Sequence, residues 1–209
     1  MEYLLTMTTR VPAGTSEAAV AAIRAKEATR SGELAAQGHL LRLWRPPVQP
    51  GEWRTLGLFV ADDGDALEVD LASMPLRVWR TDEVTPLAPH PNDPPPSSNG
   101  AASPTRGLGG REFLTRCRSA VSTSSPAEIV DSAAAQEAER ARELALQGHL
   151  QRLWRLPGEG RALGLWRADN DAELGEVLAS LPWSDVRMTP LSPHPNDPAA
   201  TGRPKGLAS

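Results

Sequence analysis

Two glutamates, Glu27 and Glu137, hold the same place in two stretches of sequence that repeat at an offset of 110 residues. Each lies among apolar residues at helical spacing: Val20, Ile23 and Leu34 around the first, Val130, Ala133, Ala141 and Leu144 around the second. Residues three and four apart share a helix face, so each acid falls on the stripe that should meet a sheet. A carboxylate there is costly unless it is paired or neutralised. Burial also lifts its pKa toward the range that suits proton transfer. The bland alternative is a rotated helix, with Glu27 on the flank and paired to Arg24 or Arg30 one turn away.

A strand follows each helix. His39, Leu41, Leu43 and Arg45 alternate with Leu40, Arg42 and Trp44; His149, Gln151, Leu153 and Arg155 alternate with Leu150, Arg152 and Trp154. Two arginines and an indole at a strand end could grip a planar substrate carrying a carboxylate, because guanidinium binds carboxylate bidentately. The same residues also suit a core tryptophan with arginines at its rim. His39 and His149 directly follow the helix stop, where a satisfied structural histidine is commoner than a catalytic one. His90 and His194 lie among prolines in extended tails, either reaching over a neighbouring domain or exposed.

The elements that must position these residues read the same way twice. Residues 2–10 alternate as a strand, with Tyr3, Leu5 and Met7 on one side. A helix capped by Thr15 or Ser16 then runs to about Gln37. In the second copy, Ser125-Pro126-Ala127-Glu128 predicts a capping box with Pro at the first helical position. Gly38 and Gly148 suit left-handed stops. The strands to Arg45 and Arg155 pair with strands at 54–61 and 161–168 as antiparallel hairpins. Asp62-Asp63-Gly64-Asp65 and Asp169-Asn170-Asp171 open short helices, where acids suit the positive end of the dipole. Those helices carry Leu67, Leu71 and Met74 against Leu174, Leu178 and Leu181, and fourth strands run near 80–87 and 185–191. The expected fold class is α+β: two ferredoxin-like (βαββαβ) domains in tandem, with dimeric α/β-barrel-type pairing. The predicted boundaries are 1–93 and 111–198, with a linker at 94–110 rich in Pro, Gly and Ser and a C-terminal tail at 199–209.

Composition narrows the chemistry. A net charge of -4 over 209 residues argues against nucleic-acid binding. The single cysteine, Cys117, excludes an internal disulfide framework and reads as a packed residue. The start Met1-Glu2-Tyr3-Leu4 shows no secretory signal, and no apolar run reaches the ~20 residues that span a bilayer. A cytoplasmic chain with no membrane partner is the expectation. The sequence holds no glycine-rich phosphate loop, no zinc-type cysteine pair and no nucleophile elbow, so neither a cofactor nor a metal is expected.

The order Glu27, Gly38, Leu43-Trp44-Arg45, Met74-Pro75, His90-Pro91 resembles the muconolactone Δ-isomerase family. It recurs as Glu137, Gly148, Leu153-Trp154-Arg155, Leu181-Pro182, His194-Pro195. The resemblance implies a cofactor-independent isomerase of aromatic catabolism, in the catechol branch of the β-ketoadipate pathway. It would move the double bond of muconolactone to give 3-oxoadipate enol-lactone. Glu27 and Glu137 would be the catalytic proton carriers, and Arg42, Arg45, Arg152 and Arg155 the partners of carboxylate or dienolate. Trp44 and Trp154 would wall the pocket, with His39 and His149 as further candidates for substrate binding. The family's basic residue one turn before the glutamate is matched by Arg24, whereas Ala134 stands there in the second copy. The implied partners are a lactone carrying a carboxylate and further copies of the chain, five of which would supply ten domains. Dehalogenation of a chlorinated muconolactone on the same scaffold, or non-catalytic binding and assembly, are the alternatives.

Overall fold

The computed structural model describes residues 1–95, 110–122 and 124–200. The chain divides into two compact units, one formed by Met1–Pro86 with the segment from Ser192, the other by Leu87–Leu191. These units do not coincide with the halves of the duplication, because the two repeated His-Pro-Asn-Asp tails are exchanged between them. Most of the predicted linker and of the C-terminal tail, residues 96–109 and 201–209, lies outside the described residues.

In the first unit, β1 (Glu2–Thr9) pairs antiparallel with β3 (Trp53–Val60), which pairs antiparallel with β2 (Leu40–Arg45). Trp44 and Arg45 then pair with Pro193 and Ser192. Helix α1 (Glu17–Ala36) is capped by Ser16, whose hydroxyl accepts from the Ala19 N–H. It ends at Gly38, where φ is +81°. Helix α2 (Gly64–Ala72) is capped by Asp63 in the same manner. A 3-10 turn, Pro75–Trp79, follows it and leads into β4 (Arg80–Pro89). Pro75 opens that turn, where its missing N–H costs no hydrogen bond. The core packs Tyr3, Leu5 and Met7 from the strand against Leu34, Leu40, Phe59, Leu67 and Leu71.

The second unit repeats this order with β5 (Arg111–Ser119), α3 (Ala127–Leu146), β6 (Leu150–Arg155), β7 (Arg161–Ala168), α4 (Asp171–Ala179) and β8 (Trp183–Pro193). Strand β5 pairs with β7 and β8, β7 with β6, and Ala88 and Pro89 with Arg155 and Trp154, all antiparallel. Trp166 is the centre of this core and donates its indole N–H to Thr115 Oγ1 at 2.9 Å. Gly164 leaves the room that the indole occupies, since a Cβ there would collide with the Trp166 ring.

One local expectation fails. The capping box at Ser125 does not form: Pro126 takes the N-cap position, and no side chain caps the helix. The first turn is closed instead by the Pro126 carbonyl, which accepts from the Ile129 and Val130 N–H groups. The architecture is α+β, with antiparallel strands and four helices among the described residues.

Candidate active site

Glu27 faces inward, 7% exposed, as the periodicity of α1 requires. Its two oxygens are held separately. Oε2 accepts the Leu76 N–H at 2.8 Å, presented by the 3-10 turn, and Oε1 accepts Arg80 Nη1 at 3.1 Å. Arg80 is itself buried and turns its other face to Asp82, with Nε 2.7 Å from Oδ1 and Nη2 3.0 Å from Oδ2. Arg77 also bonds Asp82. Burial raises the Glu27 pKa above the ordinary value of 4.5. The Leu76 N–H and Arg80 pull it part of the way back, while Asp82 adds to the rise.

The flanking pairs considered for Glu27 do not occur. Arg30 bonds Ser73 and Glu33, and the Arg24 guanidinium lies 4.7 Å from the Trp53 ring centroid. Arg80, 53 residues on from Glu27, neutralises it instead.

Glu27 opens onto a cavity of about 280 Å³, also lined by Arg24, Arg45, Trp53, Arg80 and His194. That volume sits at the small end of ligand pockets, which run from roughly 300 Å³ upward. It holds one acid at its wall and three arginines. Among the described residues, the Arg45 guanidinium has no hydrogen-bond or ion-pair partner. The His194 ring is held by the Asn196 N–H, which donates to Nδ1 at 3.1 Å. Burial and the cations Arg45 and Arg24 lower the His194 pKa to about 4, against a smaller upward pull from Asp197.

The second unit keeps the glutamate and loses its setting. Glu137 is half-buried, accepts Asn92 Nδ2 at 3.0 Å and lies 3.4 Å from His90 Nε2. The chain between Pro182 and Thr189-Pro190-Leu191 is three residues shorter than between Pro75 and Thr85-Pro86-Leu87. Aligned from those motifs, Ser184 stands where Arg80 does and Val186 where Asp82 does. Trp183 lines the space, packed edge-to-face on Trp166 at 5.8 Å. The cavity there is about 130 Å³, bordered by Glu137, His90 and Arg155. Burial lowers the His90 pKa, Glu137 opposes this, and Arg155 adds to it.

Arg45 and Arg155 thus border the cavities, whereas the other strand residues proposed for substrate binding lie outside them. Arg42 bonds Asp197 with its guanidinium 4.7 Å from the Trp44 ring, and Asp197 Oδ1 also accepts the Leu43 N–H at 3.0 Å. Arg152, Asp93, Trp154 and the Leu153 N–H repeat that arrangement. These arginines and tryptophans clamp the exchanged tails. His39 Nδ1 pairs with Asp70 at 2.8 Å, and His149 Nδ1 meets the Arg167 carbonyl at 3.0 Å. Sequence reasoning did not select Arg80, the Leu76 N–H or His194. The alternation of Arg80 and Asp82 along β4 was the available signal for the first. No cluster of three or more metal-type side chains occurs among the described residues, and no helix there is long and apolar enough to cross a membrane.

The model of the family described as muconolactone delta-isomerase matches residues 1–93 and 111–197. The chain belongs to the muconolactone Δ-isomerase family. A family relative, Muconolactone Delta-isomerase 1 of Acinetobacter lwoffii, is 31% identical over 74 residues, which are 34% of this chain and 77% of that protein. The crystal structure of a muconolactone isomerase matches 44% of this chain and 92% of its own, with 26% identity and a TM-score of 0.39. A mutant chlorite dismutase from Candidatus Nitrospira defluvii covers 92% of each chain with a TM-score of 0.60. At 9% identity that likeness is one of fold alone. Family membership supports a muconolactone isomerase-like enzyme.

Proposed function

We propose that the first unit catalyses the isomerisation of muconolactone to 3-oxoadipate enol-lactone, with Glu27 carrying the proton. The observation that carries this reading is the placement of Glu27: buried, with raised pKa, on the wall of a cavity edged by arginines. As carboxylate, Glu27 takes the proton from the ring carbon that bears the carboxymethyl arm. The electron pair moves through the ring double bond onto the lactone carbonyl, giving a dienolate. Glu27 then returns the proton two carbons away, next to the carbonyl, and the double bond rests in its new position. Atoms and electrons balance within substrate and enzyme. A proton carrier in a dry site gains from a pKa nearer neutrality, because transfer in both directions is then shallow. Arg45 and Arg24 suit the substrate's free carboxylate.

The second unit supports a different role. Without counterparts of Arg24, Arg80 and Asp82, and with less than half the cavity volume, Glu137 does not turn over the same substrate. Its half of the duplication contributes the tail that carries His194 and Asp197 to the first unit. Residues 1–93 and 111–198 are read as duplicated ferredoxin-like halves able to pair as dimeric α/β-barrel domains do, and the chain as one that self-assembles. A monomeric mass in solution would remove the assembly part.

The test is direct. Muconolactone consumption is followed for the unaltered chain, Glu27→Gln and Glu137→Gln. Loss of turnover by at least 10³-fold is expected in the first variant and a change under threefold in the second. Equal losses in both, or a fully active Glu27→Gln, would overturn the assignment.

A further inference from the structure

The two tails make the same local turn around their histidines but leave them in different states. In each, the histidine carbonyl accepts from an aspartate N–H three residues on: His194 from Asp197 at 2.8 Å, His90 from Asp93 at 3.0 Å. In each, the intervening asparagine N–H donates to Nδ1, at 3.1 Å for His194 and 3.2 Å for His90. A ring nitrogen that accepts a hydrogen bond carries no proton, so both rings are the Nε2–H tautomer. What Nε2 meets differs. For His90 it faces Glu137 Oε1 at 3.4 Å. For His194 no such partner occurs among the described residues, and Glu27 is held instead by the Leu76 N–H and Arg80. His194 lines the same cavity as Glu27, and its backbone N–H donates to the Leu43 carbonyl at 3.1 Å, fixing the tail to β2.

We infer that His194 is a second catalytic group of this site, its Nε2–H donating a hydrogen bond to the lactone carbonyl oxygen as dienolate charge gathers there. The inference rests on the isomerase reading of the first unit and adds to it the donor that the intermediate needs. A donor fixed in place beforehand stabilises developing charge without reorganising. The groups around the ring keep it in that form. Arg24 from α1 and Arg45 from β2 oppose a proton on Nδ1, Arg80 and Glu27 border the cavity, and Asp197 acts from its own turn. With a pKa of about 4 the ring stays uncharged above pH 5. It therefore offers a hydrogen bond without protonating the dienolate and competing with Glu27.

The experiment compares His194→Leu and His194→Gln with the unaltered chain and Glu27→Gln on muconolactone, alongside 15N spectra of the histidine rings. Loss of one such donor costs about 10²–10³-fold in rate. That loss is expected in kcat for His194→Leu, with KM within about threefold. His194→Gln keeps an N–H near the same point and should recover at least tenfold of the loss. The spectra of the unaltered chain should show His194 neutral, with its proton on Nε2. A kcat within threefold of normal in His194→Leu, while Glu27→Gln is inactive, would overturn this inference and leave the isomerase reading standing. So would a ring proton found on Nδ1, or a glutamine variant as slow as the leucine one. An unaltered chain that does not consume the lactone would overturn both.

Discussion

Replacing Arg80 by Met tests how Glu27 tolerates burial. The swap keeps an apolar stem in the same space and removes the charge that lies 3.1 Å from Glu27 Oε1. Asp82 retains Arg77, so Glu27 is the group left without its counter-ion, holding only the Leu76 N–H. Breaking a buried pair costs about 3–5 kcal/mol, because the remaining charge is uncompensated. Protonation sets a ceiling on that cost. Neutralising a glutamate of ordinary pKa 4.5 at pH 7 requires about 3.4 kcal/mol, at ~1.36 kcal/mol per pH unit, and at pH 5 only about 0.7 kcal/mol. The sign follows from linkage. Arg80→Met raises the folded-state pKa of Glu27 further, so stability is retained at low pH and lost as pH rises through that pKa. Urea unfolding should therefore show Arg80→Met destabilised by about 3 kcal/mol at pH 7 and by under ~1 kcal/mol at pH 5. Adding Glu27→Gln should return most of the loss at pH 7. A penalty below ~1 kcal/mol at pH 7, or one that does not change with pH, would refute the account of Glu27 as a buried charge held by Arg80.

Other outcomes follow from the same geometry. The kcat/KM profile should fall on the acid side with a midpoint above 4.5, since the raised pKa of Glu27 means the base is lost before an ordinary glutamate would be. Asp197→Ala should cost about 3–5 kcal/mol in unfolding experiments, because it removes the buried carboxylate that both Arg42 and the Leu43 N–H bond. Asp93→Ala should cost clearly less, as the Asp93–Arg152 pair is more exposed than Asp197–Arg42. Cys117, buried with its thiol pushed up to about 12 by desolvation and Glu137, should resist iodoacetamide at pH 8 until the protein is unfolded. Rapid labelling of the folded chain would contradict that burial.

Features that depend on local spacing are legible along the chain. Helix periodicity put Glu27 on the inner face, Gly38 and Gly148 marked left-handed stops, and Asp63 and Asn170 capped the short helices. The duplicated order of elements and the family were legible for the same reason, since each is a pattern along the chain. Whatever joins distant segments arises only on folding. Arg42 and Trp44 look from sequence like a substrate grip, yet an aspartate 155 residues further on claims the arginine. Only folding sets Arg80 against Glu27 across 53 residues, and only the folded chain brings the 3-10 turn's Leu76 N–H onto the same carboxylate. Spacing fixes which way a side chain points from its own element. Which partner meets it, and so whether a buried acid is a stranded charge or a held base, is set by contacts that no local pattern encodes.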